Sequence, residues 1–188
     1  MNGEARIPID RDRVGVVIGK RGSTKRMIEE AFNVRLEVDS ASGMVTVRSE
    51  GPMSPIQLMK VRDVIRAISI GFTPEQALRL RDDDAYLEVI DLKEVSKNWR
   101  DMQRIKGRII GEDGKTRRII EEMTGATLVV GDREVGIIGD YEQVRIAREA
   151  VEQLIAGRPH RAVYEFLRVR QKLLKRRRME MWEPGPPP

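Results

Sequence analysis

The chain has no cysteine, one histidine and few aromatics: three phenylalanines, three tyrosines and two tryptophans in 188 residues. The missing cysteines exclude a disulfide framework, a thiol nucleophile and any cysteine-ligated zinc. No apolar run approaches the roughly 18–20 residues that span a bilayer. The N-terminus, MNGEARIPID, lacks the basic-then-apolar order of a secretory signal. These absences predict a cytoplasmic protein with no membrane role. Hydrophobic residues at 40% against charged residues at 35% fit a globular chain with a heavily charged surface.

Arginine outnumbers lysine among the 35 basic residues, and its planar fork suits phosphate recognition. Where the charge sits is more telling. Residues 158–188 hold nine basic and three acidic side chains, a net of +6 against +5 for the whole chain. The rest is therefore close to neutral, and the basic excess belongs to the last segment. Such a run is either a solvated face or an anion-binding surface.

The sequence repeats itself. IGKRGSTKRMIEEAFNVRLEV (18–38) lies over IGEDGKTRRIIEEMTGATLVV (110–130) at a constant offset of 92. Farther on, Gly71 falls over Gly157 at an offset of 86. The chain is a tandem duplication. Each copy reads as strand, short helix, loop, helix, two strands and a longer helix. The opening strands are ARIPID and AYLEVIDL, with alternating apolar residues. Helices are predicted over Ser23–Phe32 and Lys115–Met123. Paired strands follow, VRLEVD with MVTVRS and ATLVVG with EVGIIG. The closing helices start at Ser54-Pro55 and at Asp140. In the second copy, KEVSKNWRDMQ adds a turn or two before the loop.

The expected organisation is a first unit over 1–72, a linker over 73–84 with a short helix near Pro74, and a second unit over 85–157. A basic helix over 158–182 follows, with Val163, Phe166, Leu167, Leu173 and Leu174 as its apolar stripe. The proline-rich end, 183–188, is expected to be disordered.

The most specific feature is the Gly-x-x-Gly loop at Gly19–Gly22 and Gly111–Gly114. Glycines let a backbone approach a phosphate chain closely. The helix behind them presents free N–H groups and a positive dipole end. Lys20, Arg21, Lys25 and Arg26 add charge in the first copy, and Lys106, Arg108, Lys115, Arg117 and Arg118 in the second. The second loop, however, carries Glu112 and Asp113 between its glycines. The first loop is therefore expected to hold an anionic backbone more strongly. Apolar candidates for a groove beside the loops are Val17, Ile18, Leu36, Ile109, Ile110 and Leu128. Arg176, Arg177 and Arg178 are the candidates in the tail. With no aromatic beside either loop, base stacking on rings is not expected to drive recognition.

Placed twice within that element order, VIGKRG and IIGEDG resemble the KH domain, whose Gly-x-x-Gly loop clamps a short single-stranded RNA backbone. The resemblance covers roughly 4–72 and 85–157. It implies an α+β fold of two tandem type I KH domains, each a three-stranded antiparallel sheet packed by three helices, plus the C-terminal basic helix. Lys25 and Arg117 stand where most members carry an apolar residue. With KGRIIGEDGKTRRIIEEMTGA and the trailing VYEFL helix, they make the chain similar to the small-subunit ribosome assembly factor called the partner of Nob. That similarity implies binding of single-stranded RNA, near the 3′ end of the small-subunit rRNA precursor, and cooperation with the Nob endonuclease. The compact length suggests an archaeal member. An RNA adaptor in decay or translation, or a mainly protein-binding scaffold, remain the alternatives.

No enzyme motif competes. The loop lacks the spacing of a Walker A motif and of a dinucleotide-binding fingerprint. His160 has no evident partner in the sequence and reads as a solvated surface residue. Glu29–Glu30 and Glu121–Glu122 read as partners of nearby arginines rather than a metal site. No catalytic residue, metal ligand or cofactor is expected.

Overall fold

The computed structural model describes residues 4–49 and 51–182. The proline-rich end predicted to be disordered, 183–188, lies outside the described residues.

In the first copy, β1 (Glu4–Pro8) leads through a 3-10 turn into α1 (Val14–Ile18), and the glycine loop follows. Then come α2 (Ser23–Phe32), β2 (Val34–Asp39), β3 (Met44–Ser49) and α3 (Pro55–Ile70). A short α4 (Pro74–Leu78) and a 3-10 turn join this copy to the next. The second copy runs β4 (Tyr86–Asp91), α5 (Leu92–Val95), α6 (Trp99–Ile110), its glycine loop, α7 (Lys115–Thr124), β5 (Thr127–Val130), β6 (Glu134–Gly139) and α8 (Tyr141–Ile155). The last helix, α9, spans His160–Trp182.

Both sheets are antiparallel, ordered β1-β3-β2 and β4-β6-β5, so each third strand sits centrally between two partners. Register is equivalent too: Leu36 pairs with Val47 and Leu128 with Ile137. The helix starts are written in the sequence. Ser54, Thr73 and Asp140 each accept a hydrogen bond from the backbone N–H of a glutamine three residues on. That glutamine's side chain reaches back to the cap's own N–H, which closes a reciprocal box.

The two sheets differ in how they are covered. In the first, β3 alternates Val45 and Val47 inward with Thr46 and Arg48 toward solvent. That is the period-2 pattern of a half-buried strand. In β6 every residue from Val135 to Gly139 is buried. Val135 and Ile137 fill the second unit's own core, whereas Ile138 belongs to the first unit's core, with Leu87, Val89 and Val129 packed beside it. The far face of the second sheet thus rests on the first unit. Phe72, 1% exposed, is the key of this junction. A Cβ on Gly136 would lie 2.5 Å from the Phe72 ring, so only glycine lets the ring seat against β6. Arg66 pairs with Glu134 across the junction, and Arg79 donates to the Thr127 hydroxyl at 3.1 Å. The 73–84 connection takes part in this packing, with Ala77 and Leu80 buried in the first unit's core.

The C-terminal helix is also docked. Val163 and Leu167 are buried in the second core, and Phe166 and Leu174 pack at its edge. Leu173, expected in the same stripe, is 46% exposed. The helical rotation carries it past the contact face.

Candidate nucleic-acid interface

The two glycine loops superimpose in backbone angles. Gly19 and Gly111 both have φ +73°. Arg21 and Asp113 sit at +54° and +49°, and Gly22 and Gly114 at +75° and +74°. Left-handed φ at a non-glycine residue is uncommon and strained, and such strain clusters at functional sites.

Within each loop the glycines do different jobs. A Cβ on Gly19 would come within 2.6 Å of the Thr24 backbone nitrogen, and one on Gly111 within 2.7 Å of that of Thr116. The first glycine therefore lets the loop fold down on its own helix. A Cβ on Gly22 or Gly114 meets nothing within 4 Å. The second glycine leaves open space at the helix N-terminus, the kind of terminus whose unpaired N–H groups can receive an anion.

The charged side chains predicted for the site divide into two groups. Arg26 donates to the Arg21 carbonyl and Arg118 to the Asp113 carbonyl, both at 3.0 Å. These arginines brace the strained middle of each loop. Lys25 pairs with Glu29 at 3.8 Å and Arg117 with Glu121 at 3.9 Å. Glu29 and Glu121 also accept the backbone N–H of Leu36 and Leu128 at 2.8 Å, tying helix to strand. Lys106 donates to the Asp132 carbonyl at 3.2 Å. Arg108 donates to the carbonyls of Leu154 and Arg158, which anchors the end of α8. Lys20, Arg21 and Lys115 have no side-chain partner among the described residues. The first loop thus offers two unengaged cations, the second one cation beside the exposed Glu112 and Asp113.

Of the apolar candidates, Val17, Leu36, Ile109 and Leu128 are 0–1% exposed. They are core residues and cannot touch a base without unpacking the sheet. Ile18 and Ile110 are half-buried beside the first glycine of each loop; Val38 and Val130, near the turn ends of β2 and β5, are half-buried too and are a pair the sequence did not single out. Their common offset of 92 was the available signal.

The tail differs as well. Arg176 pairs with Glu180 at 2.9 Å, Arg177 with Glu142 at 3.7 Å and Arg170 with Glu149 at 3.7 Å. Much of the basic run is thus engaged by surface carboxylates. Arg178 has a side chain outside the described residues. His160, read as a partnerless surface group, is half-buried, with Nε2 2.9 Å from the Arg108 carbonyl. Among the described residues no cluster of three or more carboxylates or histidines could hold a metal. Among the described residues no helix is long and apolar enough to cross a membrane.

Comparison with known proteins agrees with this geometry. A family model described as a eukaryotic type KH-domain (KH-domain type I), that of the second KH domain of PNO1, matches residues 86–172. The general KH domain model matches residues 4–62. A KH domain-containing protein of Methanocaldococcus jannaschii is 44% identical over 178 residues, covering 94% of this chain and 78% of that one. The pre-rRNA-processing protein PNO1 of Eremothecium gossypii is 36% identical over 148 residues, 78% of this chain. Those residues are 55% of that protein, so the chain spans about half the length of this fungal relative. Among solved structures, the complex of a/eIF2alpha, aDim2p and rRNA from Pyrococcus horikoshii contains a chain 41% identical to this one. The match has a TM-score of 0.85 and covers 92% of this chain and 96% of that one. Two KH units in tandem, repeated loop for loop and shared with these relatives, place the chain in the PNO1/Dim2 family of KH-domain proteins.

Proposed function

We propose that the protein binds single-stranded RNA through its Gly-x-x-Gly loops and acts in processing of the small-subunit rRNA precursor, near the rRNA 3′ end. The observation that carries this reading is the open space in front of Gly22 and Gly114. In both copies a strained loop, braced by an arginine, holds that space clear before a helix N-terminus. A phosphate chain is the ligand such a surface accepts. The relatives support the biological setting: one is a pre-rRNA-processing protein, and another has been crystallised with rRNA.

The role is binding, not catalysis. The groups at the loops are cations, backbone N–H donors and aliphatic side chains, and none is placed as a nucleophile with a general base. Cleavage of the precursor would fall to a separate nuclease, for which the Nob endonuclease is the candidate. The same proposal places its action in the cytoplasm. The first loop carries most of the backbone attraction, because Lys20 and Arg21 are unengaged while Glu112 and Asp113 oppose a phosphate in the second.

Anisotropy titrations with a single-stranded fragment of the small-subunit rRNA 3′ end, beside a scrambled fragment, test the proposal. Tighter binding to the native fragment is expected, with affinity falling as salt rises. Equal affinity for both would leave an RNA binder without this assignment. Salt-independent binding would contradict phosphate contacts.

A further inference from the structure

The second unit carries an insertion that the first lacks. At the offset of 92, Val14, where α1 begins, corresponds to Lys106, yet α6 begins at Trp99. The helix is therefore longer by seven residues, about two turns, and α5 precedes it. These extra residues form one wall of a cleft of about 1510 Å³ between the units. The opposite wall comes from residues 10–13 and 66–71 of the first unit, and the floor from the β5–β6 turn.

Trp99 is 71% exposed at this wall, the most exposed of the chain's described aromatic residues. Trp99, Gln103, Lys106 and Ile110 recur at helical spacing along one face of α6. The stripe runs about 16 Å from the glycine loop to the indole. Met102, Lys106, Val129 and Val130 also line the cleft. The cleft thus reaches α6 and β5 as far as Lys106 and Val129, and beyond it the same face of α6 runs on to Ile110 at the second loop. Lys93 and Arg133, also lining it, have no side-chain partner among the described residues.

We infer that Trp99 is a stacking platform for a nucleobase, extending the second unit's RNA site beyond the glycine loop; this rests on the RNA-binding reading above. An indole face accepts any base, and cations around it hold the flanking phosphates. The chemistry suits this unit. Its loop carries Glu112 and Asp113, which weaken a phosphate clamp, and stacking supplies affinity that these carboxylates do not oppose. A protein partner would also be drawn to an exposed tryptophan. Basic side chains outnumber carboxylates in the cleft lining by seven to five, the carboxylates being Asp10, Asp12, Asp91, Asp132 and Glu134. That excess, and the α6 stripe leading from Trp99 to the second loop, favour RNA.

The test uses the full chain with Trp182→Phe, which leaves Trp99 as the sole tryptophan. It is titrated with single-stranded RNA of roughly ten nucleotides, within the range of known single-strand sites, while anisotropy of labelled RNA reports binding independently. Quenching of Trp99 fluorescence that saturates together with the anisotropy is expected. Trp99→Ala should weaken binding of this RNA roughly 5- to 100-fold, and Trp99→Phe less. For RNA of about four nucleotides, the length one loop clamps, Trp99→Ala should change little. Because the indole is exposed, thermal stability should be retained in the variants. Binding by anisotropy with unquenched Trp99 and wild-type affinity in Trp99→Ala would overturn the stacking site and leave the RNA-binding function standing. Absence of RNA binding by the unaltered chain would overturn both.

Discussion

The hydroxyl of Tyr164 lies 2.9 Å from Oγ1 of Thr116, and Thr116 is the residue against which Gly111 closes. The C-terminal helix thus reaches the back of the second glycine loop through one side chain. In the first unit the short α4 packs against α2 instead, and Thr24 has no tyrosine hydroxyl as partner among the described residues.

Tyr164→Phe removes this hydrogen bond and leaves the Thr116 hydroxyl, 2% exposed, without that partner. A loss of about 1–3 kcal/mol in stability is expected, measured by urea denaturation. RNA affinity should fall further in a background where the first loop is already disabled by Lys20→Asp and Arg21→Asp. Equal effects in both backgrounds would mean that Tyr164 does not support the second loop.

The glycines of one loop should respond differently to alanine. Gly19→Ala forces a Cβ against the Thr24 backbone and should destabilise the first unit strongly. Gly22→Ala meets open space and should cost only the left-handed backbone strain, about 1–2 kcal/mol. Thermal melts of the two variants, compared side by side, decide this. The reverse order would remove the assignment of roles within the loop.

Gly136→Ala tests the junction between the units. The added methyl would press on the buried Phe72 ring, and overpacking of this kind costs about 1–3 kcal/mol. Denaturation should show the loss, with weaker protection of α3 and β6 in hydrogen exchange. Unchanged stability would show that the second sheet does not depend on this contact.

How much of this was legible in the sequence differs between elements. The duplication exposed both sheets, the loops and most helix ends, because capping pairs such as Ser54–Gln57 and Asp140–Gln143 are local. The junction was harder to see. Its signal is the contrast between β3, which alternates, and β6, where Val135-Gly136-Ile137-Ile138 is apolar on both faces. A strand buried on both sides loses its alternation, and that loss marks a second partner. Arg26, Arg108 and Arg118 were readable as basic but not as engaged. Whether a guanidinium meets a phosphate or a nearby carbonyl depends on tertiary placement.

The start of α6 should be sensitive to acid only at unusually low pH. Asp101 accepts the Lys97 N–H at 3.1 Å and the Arg104 Nε–H at 3.0 Å. These bonds, the backbone one foremost, hold its carboxyl below the usual aspartate value. A depressed folded pKa contributes stability that is fully present above the unfolded value of about 3.9. That contribution is lost as pH falls through the lower folded value. NMR titration of the Asp101 side chain should give a midpoint below that of an unstructured aspartate. A midpoint at or above it would contradict these hydrogen bonds.

The most direct test of the whole account is RNA binding by a variant carrying both Gly22→Asp and Gly114→Asp, followed by fluorescence anisotropy with the rRNA 3′ fragment. Each carboxylate would enter the space that the account reserves for an RNA backbone. The expected result is a loss of affinity of roughly tenfold or more, about the worth of one charge-assisted hydrogen bond, with the circular dichroism spectrum retained. Wild-type affinity in a folded double variant would contradict the account, because RNA would then be held somewhere other than the two loops.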